Sequence, residues 1–276
     1  MTDSEERDDL PAPPPAPLDQ ASADRSAVVE AAAPEGEMTL LDHLEELRDT
    51  LLQSAVAAVV AAMGCWFVSA PLLDLLITPL SAAGEKVYFH GPIEAFMTRL
   101  KIAAVCGLFV VVPFILWRVY RFVMPGLYHK ERRVVVPLVV ASTGLFYAGV
   151  AFAYVILIPK VVVFMLSFGT ENLMPLIGID PYFAFVSRLC LAFGLVFELP
   201  LAVFMLSVLG LVQPRQLLAW WRYALVIIVI VSALLTPPDV LSQLLMAGPV
   251  MILYLGSVLV SMAVVRRKES AKSDED

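Results

Sequence analysis

What this sequence has least of is charge and the residues that hold metals. Only 16% of its 276 positions are charged, and it contains three cysteines and three histidines. No C-x-x-C pair, no histidine cluster and no glycine-rich phosphate loop occurs, so metal, redox and nucleotide chemistry have nothing to build on, and no metal or cofactor is expected. Cys65, Cys106 and Cys190 all fall in apolar segments, where a thiol behaves as a small hydrophobe. Nor is there a basic excess to attract a polyanion: the net charge is -7 and no nucleic-acid partner is expected. What fills the space is apolar. Hydrophobic residues make up 59% of the chain and the mean hydropathy is +0.81, far from the soluble-domain average of roughly half apolar and a quarter charged. Such a chain belongs in a bilayer.

The negative charge is concentrated at one end. Met1 to Glu37 holds ten acids, two arginines and six prolines, so it carries -8 and everything after it sums to +1. With few large apolar residues the leader cannot offset its ordering entropy, so residues 1–37 read as a disordered acidic tail. A signal peptide needs a basic start and an apolar core, and neither is present. A transmembrane domain is then expected over 38–265, followed by a charged cytoplasmic tail at 266–276.

A helix needs about 20 apolar residues to cross a hydrocarbon core of roughly 30 Å. Candidates are Leu51–Ala70, Thr98–Trp117, Val134–Ile158, Ala184–Gly210, Tyr223–Thr236 and Val240–Val265. The fifth reaches only about 21 Å. Basic residues set the sidedness. Arg48, then Arg118, Arg121, Lys130, Arg132 and Arg133, then Arg215 and Arg222, then Arg266, Arg267, Lys268 and Lys272 alternate with loops holding only Lys86, Arg99, Lys101, Lys160 and Arg188. Twelve against five places both termini in the cytoplasm by the positive-inside rule. The Arg215/Arg222 loop and the C-terminal cluster then share a side, so the fifth and sixth segments either both cross or together form a re-entrant hairpin. Crossing with local thinning of the bilayer is the preferred reading. Ser54/Ala58/Ala62, Gly144/Ala148 and Gly149/Ala153 have the small-x-x-x-small spacing that brings helix backbones together.

Three acids invite explanation. Glu198 interrupts a greasy run from Leu189 to Val212. An ionisable group inside a span costs on the order of 2.5 to 3.5 kcal/mol, so it faces a protein interior, a polar cavity or a partner. A hydrogen bond within the bundle, or a place nearer the interface, would account for it as well as a docking role. A proton path would want several such acids, and the spans supply one. Gln243, near the end of the sixth span, is the other polar group with membrane reach. The second acid, Glu46, lies in a stretch whose leucines at 40, 44, 47 and 51 form one stripe and whose acids at 42, 46 and 49 form another, an amphipathic helix leading into the first span. Acids near a helix start suit its dipole, yet surface helices on a negative leaflet are ordinarily basic, and an acidic face there favours a cationic ligand. Glu131, in Lys130-Glu131-Arg132-Arg133, reads either as a local pair or, with Glu46, as one of two carboxylates suited to fork-like pairing with guanidinium groups.

At these residues the sequence resembles a known family. His43-Leu44-Glu45-Glu46-Leu47-Arg48, Pro92-Ile93-Glu94-Ala95-Phe96, Phe122 through Pro125-Gly126-Leu127-Tyr128 to Glu131-Arg132-Arg133, Phe197-Glu198-Leu199-Pro200, and Leu235-Thr236-Pro237-Pro238-Asp239 with Ser242-Gln243 are similar, in that order, to the motifs of TatC, the large subunit of the twin-arginine protein translocase. The likeness runs from about Met38 to Arg267. It implies an all-α, six-span membrane protein with cytoplasmic ends and short fifth and sixth helices, located in the cytoplasmic membrane of a prokaryote. It implies binding of twin-arginine signal peptides, assembly with single-span TatA/TatB-type subunits and with further copies of itself in membrane lipid, and passage of folded proteins at the expense of the proton-motive force. Matched residue by residue, Glu46 and Glu131 face the signal arginines, with Arg48 and Phe122 on the same surface. Glu198 and Gln243 dock a partner's helix, and Pro237, Pro238 and Asp239 form the outer turn. The chain departs from the pattern in a second acid, Glu45, which points about 100° away from Glu46 on a helix, and in the order His129-Lys130.

Two other classes are weighed. A secondary transporter or channel, with Glu198 as its proton or ion site, would need a line of polar groups through the bundle. An intramembrane protease needs a nucleophile with a base, or paired acids, at one depth. His43, His90 and His129 all lie outside the expected spans and Glu198 has no acidic mate. The family reading implies no enzymatic activity.

Overall fold

Inside a bilayer every backbone amide must be satisfied by its own segment, and a helix does this. The computed structural model describes residues 40–123, 132–170, 175–208, 212–235 and 240–273, and these are helical almost throughout. Contacts divide the chain into units 1–47 and 48–276. In chain order the elements are α1 (Leu40–Trp66), α2 (Ser69–Ala82), β1 (Val87–Tyr88), α3 (Pro92–Val123), α4 (Arg132–Phe152), a π-helical turn (Ala153–Leu157), α5 (Ile158–Leu166), β2 (Ile177–Gly178), α6 (Ile179–Phe197), α7 (Leu199–Val208), α8 (Pro214–Ala219), α9 (Trp221–Leu235) and α10 (Val240–Ser273).

Five stretches among the described residues are long and apolar enough to cross a membrane: His43–Trp66, Pro92–Phe122, Val136–Leu166, Ile179–Ser207 and Gln243–Ala263. Trp221–Leu235, at the fifth expected span, has 15 residues, about 22 Å of helix. Val60, Met63, Val140, Ile227, Leu234 and Ile252 are largely exposed. So much apolar surface suits acyl chains and not water.

Three expectations about element ends are corrected. The third span does not stop at Ile158. Pro159 has no N–H for the carbonyl four residues back, but the helix absorbs the defect in the π-helical turn 153–157 and continues to Leu166. The sixth helix is not short, because Pro249 lies inside it without ending it and it runs for 34 residues. The first span ends at Trp66, not Ala70, and α2, unforeseen as a helix, follows it. Proline near its start is tolerated, since the first N–H groups of a helix have no partner within it. The hydroxyl of Tyr154 donates to the Leu75 carbonyl and that of Tyr182 to the Leu76 carbonyl at 3.1 Å. These bonds tie α2 to the bundle, and the helix's own Leu80 is fully buried. A two-residue parallel bridge, Val87 with Ile177 and Tyr88 with Gly178, joins the segments before α3 and α6.

The core lies where α4, its π-turn and α5 meet α6. Leu157, Ile158, Val161, Leu189 and Phe193 are completely buried there. Phe152 packs on Phe193 and Phe197 at ring-centre distances of 5.6 and 5.7 Å. Small residues set the approach. A Cβ built on Gly149 would lie 2.4 Å from the Phe193 carbonyl oxygen, and one on Gly107 would lie 2.4 Å from the Ala62 nitrogen of α1. A Cβ on Gly144 would meet nothing within 4 Å. Of the two expected glycine contacts on α4, Gly149 is the one that lets backbones touch.

Candidate functional site: an acid at the joint of a broken span

The run Leu195-Val196-Phe197-Glu198-Leu199-Pro200 contains its own explanation for a break. Pro200 cannot donate to the carbonyl of Val196, and the span Ile179–Ser207 is accordingly two helices, α6 ending at Phe197 and α7 starting at Leu199, with Glu198 between them. The Glu198 N–H turns back to the Leu195 carbonyl at 3.1 Å, and its own carbonyl accepts from Ala202 at 2.9 Å. Ser142 stands ten positions past the start of α4 and Glu198 ten before the end of α7, about 15 Å of helix in each case. The carboxylate therefore lies inside the apolar stretch Ile179–Ser207 and not at its end.

Two helices supply its surroundings. The buried Ser142 hydroxyl of α4 donates to Glu198 Oε2, and the Tyr120 hydroxyl of α3 donates to Ser142 Oγ at 3.1 Å. The other carboxyl oxygen, Oε1, is shielded and has no hydrogen-bond partner among the described residues. The arrangement is a three-membered polar chain, Tyr120 to Ser142 to Glu198, drawn from three helices that share no sequence neighbourhood. It fixes the carboxyl's orientation through one oxygen and leaves one acceptor unsatisfied. Sequence reasoning flagged Glu198 and missed Ser142 and Tyr120. The available signal was Ser142-Thr143, a polar pair in an otherwise apolar run.

Gln243 lies in the first turns of α10, and its amide donates to the Val229 carbonyl of α9 at 2.9 Å. It thus fastens the short helix α9 to α10 and does not bond to Glu198. Of the residues expected on the peptide-binding surface, Glu46 lies on α1 with Oε2 shielded and no hydrogen-bond partner among the described residues. Arg48 is exposed on α1, and Phe122 is partly buried in the last turn of α3. Glu131, Pro237, Pro238 and Asp239 lie outside the described residues. No group of three or more His, Cys, Asp or Glu side chains among the described residues has metal-binding geometry.

At the far end of α3, Glu94 accepts from the His90 backbone N–H at 2.6 Å and pairs with its ring at 3.2 Å. Lys101 and Asp180 form an exposed ion pair between α3 and α6 at 2.5 Å. The Arg99 guanidinium lies over the Trp66 ring and donates to Ser69 Oγ at 3.2 and 3.1 Å. These contacts hold the loop ends and leave the carboxyl of Glu198 untouched.

Fold and site together define a multi-pass helical membrane protein with one oriented acid at a break in its fourth long apolar segment. The family model described as TatC, Sec-independent protein translocase protein, matches residues 42–249, and the chain belongs to that family. A TatC from Halothiobacillus neapolitanus is 37% identical over 92% of this chain and 73% of its own length. One from Carboxydothermus hydrogenoformans is 37% identical over 85% of this chain and 97% of its own. The chloroplastic protein of Oryza sativa subsp. japonica is 41% identical over 80% of this chain, which spans 62% of that protein's length. A crystal structure of the twin arginine translocase receptor TatC superposes with a TM-score of 0.74 at 32% identity, covering 81% of this chain and 99% of that one. The family is a translocase component and not an enzyme.

Proposed function

We propose that the chain is the twin-arginine signal-peptide receptor and assembly scaffold of a translocase that carries folded proteins across the cytoplasmic membrane of a prokaryote, driven by the proton-motive force. Six crossings, with α9 and α10 as the last pair, put both ends in the cytoplasm, as the excess of basic residues on one set of loops requires. Glu46 and Glu131 receive the paired guanidiniums, with Arg48 and Phe122 beside them. A charge-assisted bond contributes roughly 1.5 to 3 kcal/mol, and an ammonium cannot form the bidentate fork, so two acids suffice to separate paired arginines from paired lysines. Glu198 and Gln243 serve the docking of single-span TatA/TatB-type subunits, and Pro237, Pro238 and Asp239 shape the outer turn. Self-association in membrane lipid follows from the scaffold role, and the leader 1–37 remains a free acidic tail.

The observation that carries this reading is family membership over most of the chain together with an oriented acid that keeps one acceptor unsatisfied. A conduit would need a line of such groups, and a three-membered chain is too short for one. The test separates the two surfaces. Charge reversal at Glu131 or Glu46 is expected to abolish crosslinking of a twin-arginine peptide while the small subunits still co-purify. Glu198→Ala is expected to do the opposite. Undiminished peptide crosslinking in both charge-reversal variants would refute the receptor assignment.

A further inference from the structure

Away from the acid, α8 and the start of α9 enclose an open recess of about 710 Å³. Arg215, Leu218, Trp221, Arg222, Tyr223 and Val226 line it. Its chemistry is that of a membrane interface, with two guanidiniums, two amphipathic aromatic rings and an apolar floor. Neither arginine has an acidic partner among the described residues. The Arg222 guanidinium sits 5.8 Å from the Trp221 ring centre, which holds it in place while its N–H groups stay free to donate. The recess is well anchored, because the Tyr254 hydroxyl of α10 donates to the Leu217 carbonyl of α8 at 2.8 Å. Below the arginines, Tyr223, Val226, Ile227, Ile230 and Leu234 of α9 are all exposed. Their spacing of three and four places them on one face, an apolar stripe that begins inside the recess at Val226 and runs down the helix.

We propose that this recess binds an anionic phospholipid, its phosphate held by Arg215 and Arg222 and its acyl chains laid along the α9 stripe. A headgroup with two phosphates matches two guanidiniums better than one with a single phosphate. Charge complementarity and the continuity of headgroup pocket with acyl stripe both select a lipid over a free anion. The shortness of α9 adds a reason for the site to exist, since a helix of about 22 Å leaves a mismatch that a firmly bound lipid can seal. The inference needs only that the chain spans a membrane and is independent of the signal-peptide assignment.

The test uses the full chain in detergent, probed by native mass spectrometry and by thermal unfolding with added diphosphatidylglycerol, phosphatidylglycerol, phosphatidylcholine or inorganic phosphate. Diphosphatidylglycerol is expected to be retained best and to raise the unfolding temperature, phosphatidylcholine and inorganic phosphate to do neither. Retention in Arg215→Gln/Arg222→Gln is expected to fall by about tenfold or more. Equal retention in the double variant, or equal protection by inorganic phosphate, would overturn the proposal. If the double variant does not fold, the wild-type comparison decides alone: no difference between the anionic and the zwitterionic lipid overturns it.

Discussion

Replacing Ser142 by alanine removes the middle of the polar chain and should expose how the acid at the joint is held. Ser142 is completely buried, so water cannot take its place. The substitution leaves the Tyr120 hydroxyl without its acceptor and Glu198 Oε2 without its donor, beside an Oε1 that already lacks one. Each buried polar group so orphaned costs about 1 to 3 kcal/mol. Tyr120 and Glu198 are only partly shielded, which argues for the low end, about 2 kcal/mol in all. Hydrogen bonds between helices in membranes contribute about 0.6 kcal/mol on average and up to about 1.7. A double-mutant cycle between Ser142→Ala and Glu198→Ala, each of which removes one partner of the bond, should therefore show a coupling of about 1 kcal/mol or somewhat more. The assay is reversible unfolding in mixed micelles, with Ser142→Thr as the variant that keeps the hydroxyl. Additivity within about 0.3 kcal/mol would show that Ser142 and Glu198 do not hold each other, and the oriented carboxyl would have to be abandoned. A second readout separates holding from function: co-purification of the small subunits should weaken in Ser142→Ala, stay in Ser142→Thr and fail in Glu198→Ala.

The remaining expectations follow from packing and surface charge. Gly149→Ala should destabilise by about 1 to 3 kcal/mol, since the new methyl would strike the Phe193 backbone. Gly144→Ala, facing open space, should be neutral or slightly stabilising, and equal melting shifts for the two would contradict the α4/α6 contact. Lys101→Met breaks an ion pair whose side chains are 51% and 38% exposed, so unfolding should change by less than about 1 kcal/mol. Arg99→Lys should cost more than that, because the planar group both stacks on Trp66 and donates twice to Ser69, which an ammonium cannot reproduce.

How much of this was legible in the sequence depends on whether a feature is written locally. Apolar runs of spanning length are local, and five of the six expected spans coincide with long apolar helices, the remaining one with the short α9. Helix ends are less local, because a proline signals a missing donor and not what the neighbourhood does about it. Pro159 stands just past the expected end of the third span, and the chain passes it by inserting a π-helical turn. Pro249 sits inside a helix that continues for many turns. The helix α2 escaped notice because 14 residues with an internal proline are too few to cross a bilayer, and the tyrosines of the π-turn and α6 that bond to it lie far off in sequence.

The acid itself shows the same division. That Glu198 stands alone in an apolar run is plain from six letters of sequence, and so is the proline two places on. Neither letter reveals that the two act together. Pro200 frees a carbonyl and parts α6 from α7, and at such a joint a polar side chain interrupts no regular helix. What makes the joint habitable is a serine 56 positions earlier and a tyrosine 22 before that, contacts that no periodicity encodes because they join three helices at one depth. A docking partner that meets the remaining oxygen must bring a hydrogen-bond donor to the same depth, and an uncharged hydroxyl or amide can do so without the roughly 2.5 to 3.5 kcal/mol that a lysine or arginine would cost there.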